Sequence, residues 1–192
     1  IIRKGVNYIR DFAIDMRAGG IDGIPSMARS AIIALCRQFL ELNEKLIKVE
    51  KEIVRVARKD KRVQLLQTIP GVGPINASAI VATIGSGEQF RTGRDFAAWV
   101  GLTPINKSSG GKERLGRISR MGNKYLRKLL VIAMTSRVSA AISRPDRVDP
   151  WTASILAKKP VRLATVAMAN KTARIIWAVL SRGEPFRHTT TA

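Results

Sequence analysis

The stretch LLQTIPGVGPINASAIVATIG, residues 65–85, decides the reading of the fold. Apolar helix formers stand on both sides of Ile69-Pro70-Gly71-Val72-Gly73-Pro74, so the segment reads as a helix, a tight Gly-x-Gly turn and a second helix. Pro74, with its fixed φ and missing N–H, suits the start of the second helix, and Gly85 suits its stop. The pattern predicts a helix-hairpin-helix. Gly71 and Gly73 accept backbone angles that other residues resist, and without side chains they let the N–H groups at the start of the second helix approach a phosphate. A contact of that kind is independent of base sequence. The alternative is a glycine turn with a packing role alone, and the apolar helices on both sides make IPGVG more specific than a lone glycine pair.

Bulk composition points to the same kind of partner. The chain has 192 residues, 45% hydrophobic and 25% charged, which describes a globular chain with room for one or two domains. Its 34 Lys and Arg against 14 Asp and Glu leave a net charge of +20, with a pI near 11.3, and such an excess calls for a polyanion. Nucleic acid, DNA first, is the candidate. A membrane surface competes, but no apolar run of about 18–20 residues stands out and no signal-peptide layout opens the chain, so no membrane partner is expected and the cytoplasm is the expected location. Cys36 is the single cysteine and His188 the single histidine, which leaves neither an internal disulfide nor Cys/His zinc chemistry. The chain opens Ile1-Ile2 with no initiator methionine and reads as a fragment or processed piece.

Ahead of the hairpin the periodicity is helical. Ile2, Val6, Ile9, Ala13 and Met16 recur at three and four, predicting a short amphipathic helix over 1–18 that stops at Gly19-Gly20. Ile32, Leu35, Phe39, Leu42, Leu46, Val49, Ile53 and Val56 then follow spacings of 3, 4, 3, 4, 3, 4, 3, an unbroken a/d seam. A stripe that narrow wants another helix. The first helix is too short to cover all of it, which favours a homo-oligomer formed through residues 27–58 over intramolecular packing in a larger parent protein. The charged run RVARKDKR, residues 55–62, closes this unit. Residues 1–60 are therefore expected to form a helical connector or coiled coil, residues 61–187 a second domain, and residues 188–192 a disordered tail.

Beyond the hairpin, Thr92-Gly93-Arg94-Asp95 resembles a capping box and opens a helix carrying Phe96, Ala97 and Val100 that ends at Gly101. Residues 102–120, with Thr103-Pro104 and Gly110-Gly111, alternate weakly and predict a loop or β-hairpin arm. Within it, Ser108 and Ser109 precede Gly110 and Gly111 amid Lys107, Lys112, Arg114, Arg117, Arg120, Lys124 and Arg127, with only Glu113 opposing. A serine loop in a cationic field suits a phosphodiester. Gly122-Asn123 offers a cap for a helix over 125–143, residues 143–150 read as an exposed linker, and residues 151–157 as a short helix. A last helix runs from Pro160 or Val161 to Arg182. On it Asn170, Lys171 and Arg174 either face DNA or are ordinary surface polar groups.

Four blocks in order, IPGVGPINASAIVATIG, FRTGRDFAAWVGLTP, KSSGGKERLGRISRMGNKYLR and ANKTARIIWAVLSRGEPF, resemble the C-terminal transposase domain of the IS110/IS116/IS902 insertion-sequence group, the Piv and MooV type of DNA recombinase. The likeness is strong over 65–186, and residues 1–60 correspond to that group's helical connector. The resemblance implies a two-part enzyme. Its N-terminal half is RuvC-like, with an Asp-Glu-Asp-Asp set binding a divalent metal such as magnesium. That half is not visible here, and no cofactor is expected in this chain. The group's S-[ST]-G-G pattern falls on Ser108-Ser109-Gly110-Gly111, which carries the catalytic role to Ser108 with Ser109 as rival. Some members also use a structured noncoding guide RNA. The implied location is the bacterial cytoplasm at the nucleoid.

The expected fold is mainly α: a coiled-coil stalk, then a compact helical domain with a helix-hairpin-helix and a short β-like arm. The expected function is DNA transposition or site-specific recombination through a serine nucleophile, with this fragment inactive alone. The competing classes are a non-enzymatic helix-hairpin-helix module that only binds nucleic acid, and an oligomerisation fragment centred on residues 27–58. Expected DNA contacts are Gly71, Gly73, Lys107, Gly110, Gly111, Lys112, Arg114, Arg117, Arg120, Lys124, Arg127, Lys171 and Arg174; no metal ligand is assigned.

Overall fold

The computed structural model describes residues 5–107 and 115–187. The fold is mainly α. In chain order it contains α1 (Val6–Ala18), α2 (Ser26–Ala57), α3 (Lys61–Gln67), α4 (Pro74–Ile84), α5 (Gly93–Val100), strands β1 (Pro104–Asn106) and β2 (Leu115–Ile118), α6 (Lys124–Ser143), α7 (Pro150–Lys158) and α8 (Val161–Arg182). It divides into two compact units, and the division falls between Glu52 and Ile53, inside α2.

In the first unit α1 stops where Gly19 takes a left-handed φ of 79°, and the chain turns back. Ala13 and Met16 of α1 are buried with Cys36 of α2, and Ile32, Ile33, Phe39 and Leu40 pack around them. This cluster uses one flank of the a/d stripe. The other flank stays open: Leu35, Leu42, Leu46 and Val49 are 55–65% exposed, and Leu35, Leu42 and Val49 are successive d positions. The α1 helix therefore covers only part of the seam.

The second unit is built around α8. Its Met168, Ala169, Ala173 and Ile176 are fully buried beside Phe96 and Val100 of α5, Leu126, Leu130 and Met134 of α6, and Leu66 of α3. At 22 residues and a mean hydropathy of 1.2 over its most apolar window, α8 is long and apolar enough to cross a membrane by length and composition. Half of that window is buried inside the fold, and it includes the half-buried Lys171 and the exposed Arg174.

Local signals set the ends of these helices. Asp60 caps α3, accepting from Arg62 N at 2.8 Å, and the Arg62 guanidinium hydrogen bond holds its carboxyl below the usual range. Thr92 and Asp95 form the reciprocal box at the start of α5, and Asn123 caps α6 through Leu126 N at 2.9 Å. Residues 143–150 are more ordered than a linker: Pro145–Arg147 forms a 3-10 turn, and Asp149 caps α7 with Pro150 at its first position. Phe90, Phe96 and Trp99 form an aromatic cluster with ring centres 5.2–6.2 Å apart, which anchors α5.

Candidate nucleic-acid interface

The hairpin between α3 and α4 uses its two glycines differently. Gly71 has φ +86°, and a Cβ there would lie 2.7 Å from the Met134 methyl of α6. Its glycine is required by conformation, while the flexible tip of Met134 occupies the space a side chain would take. Gly73 has an ordinary φ of −84°, and a Cβ there would meet nothing within 4 Å. Gly73 caps α4 without a side-chain hydrogen bond, and Pro74 follows at the first position. The amides of Ile75 and Asn76 therefore point out of the helix start with no partner among the described residues. Ile69 and Val72 are buried and hold the turn to the core, while Thr68 Oγ1 donates to Leu65 O at 2.6 Å and accepts from Phe186 N at 2.8 Å.

The arm leaves the domain through a tight crossing. Strands β1 and β2 are antiparallel, with Pro104 opposite Ile118 and Asn106 opposite Leu115. At the root, a Cβ on Gly101 would overlap Met121 O, and one on Gly122 would overlap Trp99 O, so two backbone segments touch where only glycine fits. Three hydrogen bonds lock the crossing: Asn123 N to Trp99 O at 3.2 Å, Arg120 N to Gly101 O at 3.2 Å, and Ser119 N to Thr103 O at 2.9 Å. Arg120 carries a left-handed φ of 56° there. Arg127, half-buried, donates through Nη1 to Val100 O at 2.8 Å and to Met121 O at 3.4 Å. The guanidinium thus braces both ends of the arm.

The anticipated site residues fall into three places. Gly71 and Gly73 form the hairpin turn; Lys107 and Arg117 lie exposed on the arm, with Arg120, Lys124 and Arg127 at its root; Lys171 and Arg174 lie on α8. Ser108, Ser109, Gly110, Gly111, Lys112 and Arg114 lie outside the described residues, as does the 188–192 tail. Asn170 donates to Leu102 O at 3.1 Å, which ties α8 to the start of the arm.

Five residues that the sequence did not mark also matter. Arg137 of α6 pairs with Asp149 at 2.6 Å, and the buried Thr152 hydroxyl donates to the same carboxylate at 2.6 Å. Burial raises the Asp149 pKa, but hydrogen bonds from Thr152 and the charge of Arg137 outweigh it and hold the carboxyl below its usual range. Arg94 and Trp151 line a cleft of about 770 Å³ with Lys171 and Arg174, between the start of α5, α7 and α8. One signal for Arg94 was present: a cation in the first turn of a helix sits where the dipole favours an anion. Among the described residues, no group of three or more His, Cys, Asp or Glu stands close enough to hold a metal ion.

Residues 63–148 match the model of the Transposase IS116/IS110/IS902 family. The chain is 43% identical over 146 residues to a probable family 20 transposase of Pseudomonas aeruginosa, an alignment covering 76% of this chain and 43% of the relative. It is 34% identical over 185 residues to the transposase for insertion sequence element IS1111A of Coxiella burnetii, covering 96% of this chain and 50% of the relative. With the pilin gene-inverting protein of Moraxella lacunata it shares 28% identity over 127 residues, 65% of this chain and 38% of the relative. The chain spans about half the length of the curated relatives it matches. The matched segment runs from α3 through the hairpin, the arm and α6 to the turn before α7, so hairpin, arm root and bracing helix belong to one inherited unit, and the chain belongs to the IS116/IS110/IS902 transposase family.

Proposed function

We propose that this chain is the DNA-binding, serine-bearing part of a transposase that moves or inverts DNA by strand exchange. The observation that carries the reading is the joint presence, within residues 63–148, of an open hairpin turn and a cationic arm braced at its root. In the proposed mechanism the free amides at the start of α4 hold a DNA phosphate through Gly73, in a contact that fixes register without reading bases. Ser108 attacks the scissile phosphodiester, its Oγ bonding to phosphorus as the strand's leaving oxygen departs. Lys107, Lys112, Arg114 and Arg117 take up the charge that develops on the phosphoryl oxygens. Gly110 and Gly111 let the backbone approach, and Arg120, Lys124, Lys171 and Arg174 extend the cationic track.

Magnesium chemistry, which the family resemblance implies, finds no ligand set among the described residues, so no step is assigned to a metal here. On this reading the 192-residue chain binds DNA at the nucleoid but does not exchange strands alone. A purely binding hairpin module leaves the family match through the arm without a role. A structured guide RNA is a second polyanion that the charge of +20 suits.

The open flank of α2 completes the proposal: Leu35, Leu42, Leu46 and Val49 form the seam through which residues 27–58 associate with a second copy. Leu42→Lys with Val49→Lys is expected to give a monomer in sedimentation analysis; an unchanged mass refutes the seam. Salt titration tests the DNA reading. If about six phosphates are neutralised, log K falls against log salt with a slope near −5, and salt-insensitive or absent DNA binding overturns the reading.

A further inference from the structure

The cleft between the start of α5, α7 and α8 holds more than duplex phosphates require. Its volume of about 770 Å³ lies in the range of ligand sites, and its described wall carries Arg94, Lys171 and Arg174 with no carboxylate. Lys171 is half-buried, and its ammonium stands 3.6 Å from the centre of the Trp151 ring. Among the described residues, none of the three cations has a carboxylate within ion-pairing distance, because Asp149 is engaged by Arg137 and Thr152. Burial lowers the Lys171 pKa; Asp149 opposes this, and the charges of Arg137 and Arg174 add to it. The ammonium rests on a neutral ring amid like charges, a weak hold that a phosphate would improve.

Trp151 is 37% exposed, so the ring is partly open to the cleft as well. The opposite wall is fixed: Gly93 lies so close to α8 that a Cβ would come within 2.9 Å of Arg174 O, and Trp177 is anchored by donating Nε1–H to Phe90 O at 3.1 Å. An indole beside three unpaired cations matches a nucleotide whose base is out of a stack, since bases within a duplex have no free face to offer a recessed ring.

We propose that this cleft takes one unpaired nucleotide of a single strand, its base stacked on Trp151 and its phosphate held by Lys171, Arg94 and Arg174. On binding, the base takes the ring face that the ammonium covers, and the ammonium passes to the phosphate. The proposal rests on the nucleic-acid reading above and narrows it to unpaired strand, DNA or RNA.

The test titrates the full chain with an oligothymidylate of roughly 20 nucleotides, the matching oligouridylate, an abasic strand of equal length and charge, and a duplex. Tryptophan emission and anisotropy are followed at fixed salt. Oligothymidylate or oligouridylate, whichever binds more tightly, quenches the emission and identifies DNA or RNA as the source of the strand. Trp151→Ala weakens that strand's binding about fivefold or more and leaves the abasic strand and the duplex unchanged. Lys171→Gln with Arg174→Gln weakens the base-bearing and abasic strands alike. Trp151→Phe retains most of the affinity while losing the quench, which also covers the case in which the alanine variant fails to fold. Equal weakening of abasic and base-bearing strands in Trp151→Ala, or no weakening of either, overturns the proposal. Absence of binding to every probe at low salt overturns the nucleic-acid reading itself, whereas duplex binding without any effect of Trp151 removes only the cleft.

Discussion

At the root of the arm a methyl group on Gly101 would overlap Met121 O and one on Gly122 would overlap Trp99 O, whereas at the hairpin one on Gly71 would meet the tip of Met134 and one on Gly73 would meet nothing. Three of these four glycines serve the fold. Backbone oxygens cannot yield at the arm root, the end of a flexible methionine can yield at Gly71, and Gly73 leaves open space in front of a helix start. In sequence all four belong to glycine turns in a basic chain. The difference lies in what stands opposite the missing side chain: at Gly73, the N-cap of α4, nothing in the described structure does, which is the space the proposed phosphate contact uses.

The largest effect is expected at the crossing. Gly122→Ala, with φ +91° and a carbonyl in its path, should cost at least about 3 kcal/mol in urea denaturation; a loss below about 1 kcal/mol means the crossing relaxes freely. Gly71→Ala should cost about 2 kcal/mol, since φ is left-handed but Met134 can turn aside.

Asp149→Asn should cost about 1–2 kcal/mol, by removing a charge-assisted bond to Arg137 that is only partly buried. The Asp149 carboxyl is held below its unfolded pKa of about 3.9. Its contribution is therefore complete above that value and is lost as pH falls through the lower folded pKa. The wild-type chain should lose this part of its stability on acidification, and the asparagine variant should not; parallel acid titrations of the two would refute the pairing.

The smallest stability change belongs to Gly73→Ala. An ordinary φ and an empty surround keep it within about 0.5 kcal/mol, the loss of a favoured cap offsetting the lower freedom of the unfolded chain. Duplex affinity should nonetheless fall severalfold in filter binding. Should Gly73→Ala instead destabilise the fold and spare affinity, the contrast between the two hairpin glycines disappears.

Much of the helical frame was legible because its signals are local. Pro74 and Gly85 bracket α4, Thr92 and Asp95 open α5, and Asn123 opens α6, each within a turn of the boundary it sets. Contacts between distant residues were not legible. Nothing near Gly101 in sequence announces Met121 O, and Arg127 reads as one more surface cation until its guanidinium is found on Val100 O. Residues 143–150 look like a linker by composition, yet Asp149 both caps α7 and binds Arg137 twelve positions earlier. The a/d stripe of α2 was legible as a stripe, but its periodicity could not say that α1 would cover only the flank around Cys36. The cleft escaped notice because Arg94, Trp151 and Lys171 come from three separate helices.

Ser108 remains the residue on which the functional reading turns, and covalent capture addresses it directly. A full-length transposase carrying this chain is incubated with a suicide DNA substrate, and the adduct is located by peptide mass spectrometry. The expected result is DNA linked to the Ser108 oxygen, lost in Ser108→Ala and kept in Ser109→Ala. An adduct that survives Ser108→Ala and vanishes in Ser109→Ala contradicts the assignment, and strand exchange with no serine-linked adduct contradicts the nucleophile altogether.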